Sequence, residues 1–139
     1  MSDWDAARGI EIPLPVQTYD IDFAGTVGNI VFVRWLEDLR LALMARAYPI
    51  ARALADDVAP VLLETRIRYA KPVLIGDALT GRMWVTAMER VRWRVAAEFR
   101  VGGETHASAE QEGIFIKLST RKPVRPPEAL RRRFEEAGR

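Results

Sequence analysis

Asp22 is the residue in this chain best suited by its setting to act on a carbonyl group. It lies in the run Tyr-Asp-Ile-Asp-Phe-Ala-Gly-Thr-Val-Gly-Asn, residues 19–29, a glycine-containing loop that feeds directly into a long apolar segment. A carboxylate in such a loop can sit beside the free backbone N–H groups that open a helix. The carboxylate can activate water, and the N–H groups can hold a developing oxyanion. Hydrolysis of an acyl ester or thioester needs both. A purely local role is the competing reading, with Asp22 as an Asx-turn or helix-capping residue.

Other chemistry-bearing residues give weaker patterns. Asp20 is a neighbouring acid expected to be structural or exposed. Glu37 falls on the polar side of the long segment and is expected to pair with Arg34 or Arg40. Glu64 lies on a strand and is a reserve carboxylate. His106, the only histidine, shares a strand face with Ser108, but no G-x-S-x-G elbow accompanies them, so a serine triad is not expected. One histidine and no cysteine give no metal-ligand spacing. The lack of cysteine also removes disulfides and thiol nucleophiles, and cytoplasm is the expected compartment. Trp84 and Trp93 read as packing residues, or as the lining of an acyl or aryl pocket.

Those residues must be positioned by a small protein. The chain has 139 residues, enough for one domain, 1–139, with one core. Hydrophobic residues make up 49% and charged residues 29%, as in ordinary soluble proteins. No apolar run approaches a membrane span, and the first residues do not read as a signal peptide. The net charge of +2 is mild, and arginines alternate with apolar residues in Val91-Arg92-Trp93-Arg94-Val95. A solvated strand face explains that pattern, and a nucleic-acid partner is not expected.

Along the chain, residues 1–9 read as a loose arm. Ile10 to Thr18 reads as an edge or irregular strand, because Pro13 and Pro15 interrupt it. From Asn29 to Ala47, Phe32, Trp35, Leu36, Leu39 and Leu43 recur at helical spacing. Tyr48-Pro49 breaks this helix, and a short one follows over Ile50 to Ala55. Two-residue alternation then predicts strands from Val61 to Tyr69, Leu79 to Met88, Val91 to Val101 and Glu104 to Leu118. Gly102-Gly103 marks a hairpin. Pro123, Pro126 and Pro127 end the regular part, and 123–139 is a tail or short helix over Glu128 to Ala137. A long helix followed by a run of strands predicts an α+β fold with an antiparallel sheet lying against that helix. Exposed sheet edges favour pairing of two subunits.

The segment Asp22-Phe23-Ala24-Gly25-Thr26-Val27-Gly28-Asn29, with Phe32, Arg34-Trp35 and Glu37 after it, resembles the hotdog-fold thioesterases of the 4-hydroxybenzoyl-CoA thioesterase type. Arg68-Tyr69-Ala70-Lys71-Pro72 followed by Gly76-Asp77-Ala78-Leu79 is similar to that family's strand-Pro-Gly-Asp passage. The resemblance implies a hotdog fold, an antiparallel sheet wrapped around the central helix. It implies an acyl-CoA thioesterase in which Asp22 attacks the thioester or activates water and the Asn29 N–H polarises the carbonyl. Gly25 and Gly28 would let the loop approach the substrate, an acyl-CoA or acyl-carrier-protein thioester. No metal or separate cofactor is implied, coenzyme A being part of the substrate. Lys117, Ser119, Thr120 and Arg121 read either as a charged loop or as a clamp for coenzyme A phosphates, as the resemblance implies. The site would lie between the subunits of a homodimer, with a tetramer of two dimers as the alternative. Asn29 and Val31 replace residues common in that family, so the acyl group is left open. A non-catalytic acyl-thioester-binding protein and an acyl-thioester hydratase or dehydratase are the alternative functions.

Overall fold

The apolar stripe of residues 29–45 explains the centre of the molecule. The computed structural model describes residues 2–138; Met1 and Arg139, the outermost residues of the arm and the tail, lie outside them. Helix α1 spans Asn29–Ala45, and its Phe32, Trp35, Leu36, Leu39 and Leu43 are buried. Leu36 and Leu39 are 0% exposed. Burial of such a side chain contributes about 1.5–3 kcal/mol, so together these positions fix the rotation of α1. The helix stops two residues short of Ala47, because the residue before Pro49 is biased away from helical geometry. Helix α2 then covers Ile50–Ala55.

The strands are β1 (Gly9–Pro13), β2 (Val58–Tyr69), β3 (Leu79–Met88), β4 (Arg92–Val101), β5 (Glu104–Lys117) and β6 (Pro123–Val124), and helix α3 covers Glu128–Ala137. They form one antiparallel sheet in the order β1-β3-β4-β5-β2, with β6 added to β5. One of the two edges follows from the sequence. Pro13 cannot donate to a further strand, and β1 is indeed an edge. At the other side β2 pairs with β5, and its far edge is unpaired among the described residues.

Small residues let α1 lie close to the sheet. Ala97, Ala107 and Ala109 are buried in the shared core. At Gly81 a Cβ would stand 2.5 Å from Leu14 Cδ1 and 3.2 Å from Leu39 Cδ1. A larger residue there would have to displace the Leu14 side chain and press on Leu39 of the helix. Charged residues occupy the other face of the sheet, where Arg82 pairs with Glu98 at 2.7 Å and Arg92 with Glu112 at 2.7 Å.

Three local expectations are corrected. Residues 1–9 are not a loose arm among the described residues. Trp4 packs edge-on against Trp84 with ring centroids 5.3 Å apart, Arg82 lies over the Trp4 ring, and Ser2 Oγ donates to Glu98. The tail includes a strand, β6, because Phe115 and Ile116 extend past β4 and accept Val124 and Pro123 as partners. Finally, the alternation from Val61 to Tyr69 predicts that Val61, Leu63 and Thr65 share one face, but a bulge between Leu62 and Glu64 shifts the phase of β2, so that Leu62 packs on the core while Leu63 is exposed.

Candidate active site

The loop before α1 is anchored by a buried acid. Asp20 is 4% exposed, accepts the Gln17 N–H on Oδ2 at 2.9 Å, and lies 3.8 Å from Arg34. Its carbonyl accepts the Gly28 N–H at 3.0 Å. On the other side, Val27 N–H donates to the Val73 carbonyl at 2.9 Å, and Thr26 bridges to Leu74. The Pro-Gly-Asp passage thus supports the loop, and Asp77 Oδ2 closes its own turn by accepting the Leu74 N–H at 2.8 Å.

Asp22 is held between these two anchors. Among the described residues, every hydrogen bond of its carboxylate falls on one oxygen. Oδ1 accepts from Ala24 N–H at 2.9 Å, Thr26 N–H at 3.3 Å and Thr26 Oγ1 at 3.4 Å. This is the Asx-type turn anticipated from sequence. Oδ2 has no hydrogen bond or ion pair among the described residues. Gly25 turns the loop at φ 81, where a side chain would be strained. The Asp22 Cβ stands 4.0 Å from the point where a Gly28 Cβ would be. The base of the Asp22 side chain is therefore beside the helix cap, while the residue as a whole is exposed.

That cap is Gly28, which has no side-chain oxygen to satisfy the N–H groups behind it. Val31 N–H bonds to the Gly28 carbonyl at 3.0 Å. Asn29 and Ile30 N–H have no partner among the described residues, and the first turn of α1 has no acidic residue. The positive end of the helix is left to Asp22 and to whatever binds there. Gly28 itself has φ −67, so its use here is the missing side chain rather than an unusual backbone.

A residue that sequence reasoning passed over completes the mouth. Tyr69, the last residue of β2, directs its hydroxyl to the Asn29 carbonyl at 3.4 Å and packs edge-on against Phe32. Partial burial raises its pKa. Its place at the end of an alternating strand was the available signal, but only the fold shows that this strand end meets the start of α1. Around the mouth, Phe23 is 103% exposed, and Tyr19, Ile30, Leu74 and Ile75 are also exposed.

A thioesterase-like superfamily profile matches residues 16–134. The chain belongs to the thioesterase-like superfamily. Its fold is the hotdog fold expected from the resemblance. It is similar to a thioesterase from Thermus thermophilus complexed with coenzyme A and Zn, at 25% identity over 93% of this chain and 94% of that one, with a TM-score of 0.80. It is similar in fold to a DHNA-CoA thioesterase from Staphylococcus aureus, at 21% identity over 94% and 87% of the two chains, with a TM-score of 0.79. A further Staphylococcus aureus protein, solved in complex with CoA, shares 14% identity over 91% and 82%, with a TM-score of 0.85. No curated protein matches the sequence.

In this thioesterase-like chain the remaining sequence candidates are dispersed. Lys117, Ser119, Thr120 and Arg121 do not join Asp22 within one protomer. Val58 pairs with Lys117 and Tyr69 with Ala107, so the basic turn and the helix mouth are separated by about 33 Å of β5. Ser119 is already engaged, since its Oγ donates to Asp57 at 2.6 Å. The Thr120 hydroxyl accepts the Lys122 N–H at 3.3 Å. The Lys117 and Arg121 side chains have no ion-pair partner among the described residues. Glu64 pairs with Arg66 at 2.9 Å, about 17 Å of strand from Tyr69. Glu37 pairs with Arg40, as expected. His106 Nδ1 lies 3.0 Å from the Pro72 carbonyl, and no hydrogen bond links it to Ser108 among the described residues. Trp84 and Trp93 are both buried packing residues. The described residues contain no cluster of three potential metal ligands and no helix long and apolar enough to cross a membrane.

Proposed function

We propose that this chain hydrolyses acyl-coenzyme A thioesters at the mouth of α1. The observation that carries the proposal is the free Oδ2 of Asp22, on a side chain rooted beside a glycine-capped helix whose Asn29 and Ile30 N–H groups have no partner among the described residues. A thioester carbonyl oxygen placed on the Asn29 N–H would gain stabilisation as negative charge develops on it. Asp22 would supply the electron pair at the carbonyl carbon, directly or by taking a proton from water. Coenzyme A leaves as the thiol, and water supplies the oxygen of the released acid.

The working unit in this proposal is a homodimer. Phe23, Ile30, Leu74 and Ile75 form an exposed apolar collar beside the carboxylate, and β2 offers an unpaired edge. Antiparallel pairing of two β2 edges would bring the Val58 end of one copy beside the Tyr69 end of the other. Lys117 and Arg121 of the second copy would then face coenzyme A phosphates near Asp22 of the first.

Free-thiol titration across aromatic, short-chain and long-chain acyl-CoAs tests the activity. The expected result is catalytic thiol release with at least one acyl group. Saturable acyl-CoA binding without thiol release would instead favour the binding-protein alternative, and hydration of an enoyl thioester without thiol would favour the hydratase.

A further inference from the structure

We infer that His106 is a positioning residue for the Asp22 loop, acting through the passage between β2 and β3. That passage, residues 70–78, leaves β2 after Tyr69 and enters β3 at Leu79. His106 of β5 holds its first part twice. The His106 main-chain carbonyl accepts both the Ala70 and the Lys71 N–H at 2.9 Å. The ring Nδ1 lies 3.0 Å from the Pro72 carbonyl. No other donor reaches that carbonyl among the described residues.

Two routes lead from this contact to the mouth of α1. The first runs through Val73, next to Pro72 and buried, whose carbonyl accepts the Val27 N–H at 2.9 Å, one residue before the Gly28 cap. Leu74 follows and bridges to Thr26, whose N–H and hydroxyl both donate to Asp22 Oδ1. The second route is shorter. Tyr69 precedes Ala70 and donates to the Asn29 carbonyl. Asp77 ties down only the far part of the passage, through the Leu74 N–H. The part that Val27 leans on is held from the sheet by His106.

The chemistry of the contact is specific. A carbonyl oxygen only accepts, so the ring must present Nδ1–H to it. Protonation of Nε2 leaves that donor in place, and the contact therefore holds in both charge states of the ring. The charged neighbours, Lys71 and Glu104, are paired with each other. Leucine in place of His106 would keep apolar bulk and lose the donor. Asparagine would keep an N–H close to where Nδ1 stands. The kinetic consequence rests on the reading of Asp22 as the hydrolytic carboxylate, whereas the hold on the loop does not.

His106 is the chain's only histidine, so nitrogen NMR of the tag-free protein reads its ring alone. The neutral ring is expected as the Nδ1–H tautomer. Amide hydrogen exchange then compares His106→Leu with His106→Asn. The Val27 amide should exchange at least tenfold faster in His106→Leu and within about twofold of the parent in His106→Asn. The amide of Phe99, at the fully buried centre of β4, should be unchanged in both. On the best acyl-CoA, His106→Leu should lower kcat about tenfold with KM within about twofold, and His106→Asn should bring kcat back to within about threefold of the parent. A neutral ring protonated on Nε2, which needs no variant to detect, would overturn the inference. So would unchanged Val27 exchange or unchanged kcat in His106→Leu, or Val27 and Phe99 loosening together. A parent protein that releases no thiol from any acyl-CoA would refute the proposed activity, and the tautomer and the Val27 exchange would still decide the role of His106.

Discussion

The two ends of α1 are built in opposite ways. At the N-terminal end the helix is capped by a glycine, two N–H groups are unpartnered, and large apolar side chains face solvent. At the C-terminal end α3 covers the helix, apolar side chains turn inward, and Arg40 is buried with its own partners. One end leaves its polar backbone and its hydrophobic surface both unsatisfied. The other satisfies nearly everything within the chain. Groups left open together in one place indicate where something else must bind, because exposed apolar surface and unpaired donors are each costly alone.

The contrast can be broken or sharpened by substitution. Leu36→Ala, at the fully buried centre of α1, should loosen both ends together. It is expected to cost about 2–5 kcal/mol, which thermal unfolding would read as a Tm lower by roughly 10 °C. Gly28→Ser acts on the open end alone and moves two quantities in opposite directions. A serine oxygen would cap the helix and add a few tenths of a kcal/mol of stability. By engaging the Ile30 N–H it should lower kcat about tenfold, less than the 10²–10³ loss of a whole oxyanion donor. A gain in stability with kcat unchanged would mean that the N–H groups are not used in the reaction. Lys117→Ala and Arg121→Ala should each raise KM for acyl-CoA severalfold with kcat little changed. The same variants should leave KM for an acyl-pantetheine, which lacks the nucleotide phosphates, near the parent value. Tyr69→Phe should have the smallest effect, a two- to threefold change in kcat, since its hydroxyl contacts the Asn29 carbonyl at the long distance of 3.4 Å.

Much of this architecture could be read from local pattern. Helix α2, strand β3 and helix α3 fall on the residues expected from periodicity and from the prolines that bound them, and α1 differs only at its last turn. Each is specified by neighbours a few residues apart. What escaped depends on contacts between distant segments. Trp4 looked like part of a free arm because its partner, Trp84, is eighty residues away. Ser119 looked available for phosphate because its bond to Asp57 spans 62 residues. Tyr69 joins the site only because β2 ends where α1 begins. Asp22 itself was legible, but the division of labour between its two oxygens was not. The Asx turn and the proposed chemistry had been competing readings, and a carboxylate with one bound and one free oxygen accommodates both.

The most direct test compares thiol release by Asp22→Asn with that of the parent protein, on the best acyl-CoA and at saturating substrate, after circular dichroism has shown the same fold. Asparagine can keep the Oδ1 contacts to Ala24 and Thr26 but has no anionic second oxygen. The expected result is a kcat lower by about 10²–10⁴ with KM little changed. A variant that turns over within a factor of three of the parent would remove the carboxylate from the chemistry and leave the mouth of α1 as a binding feature only.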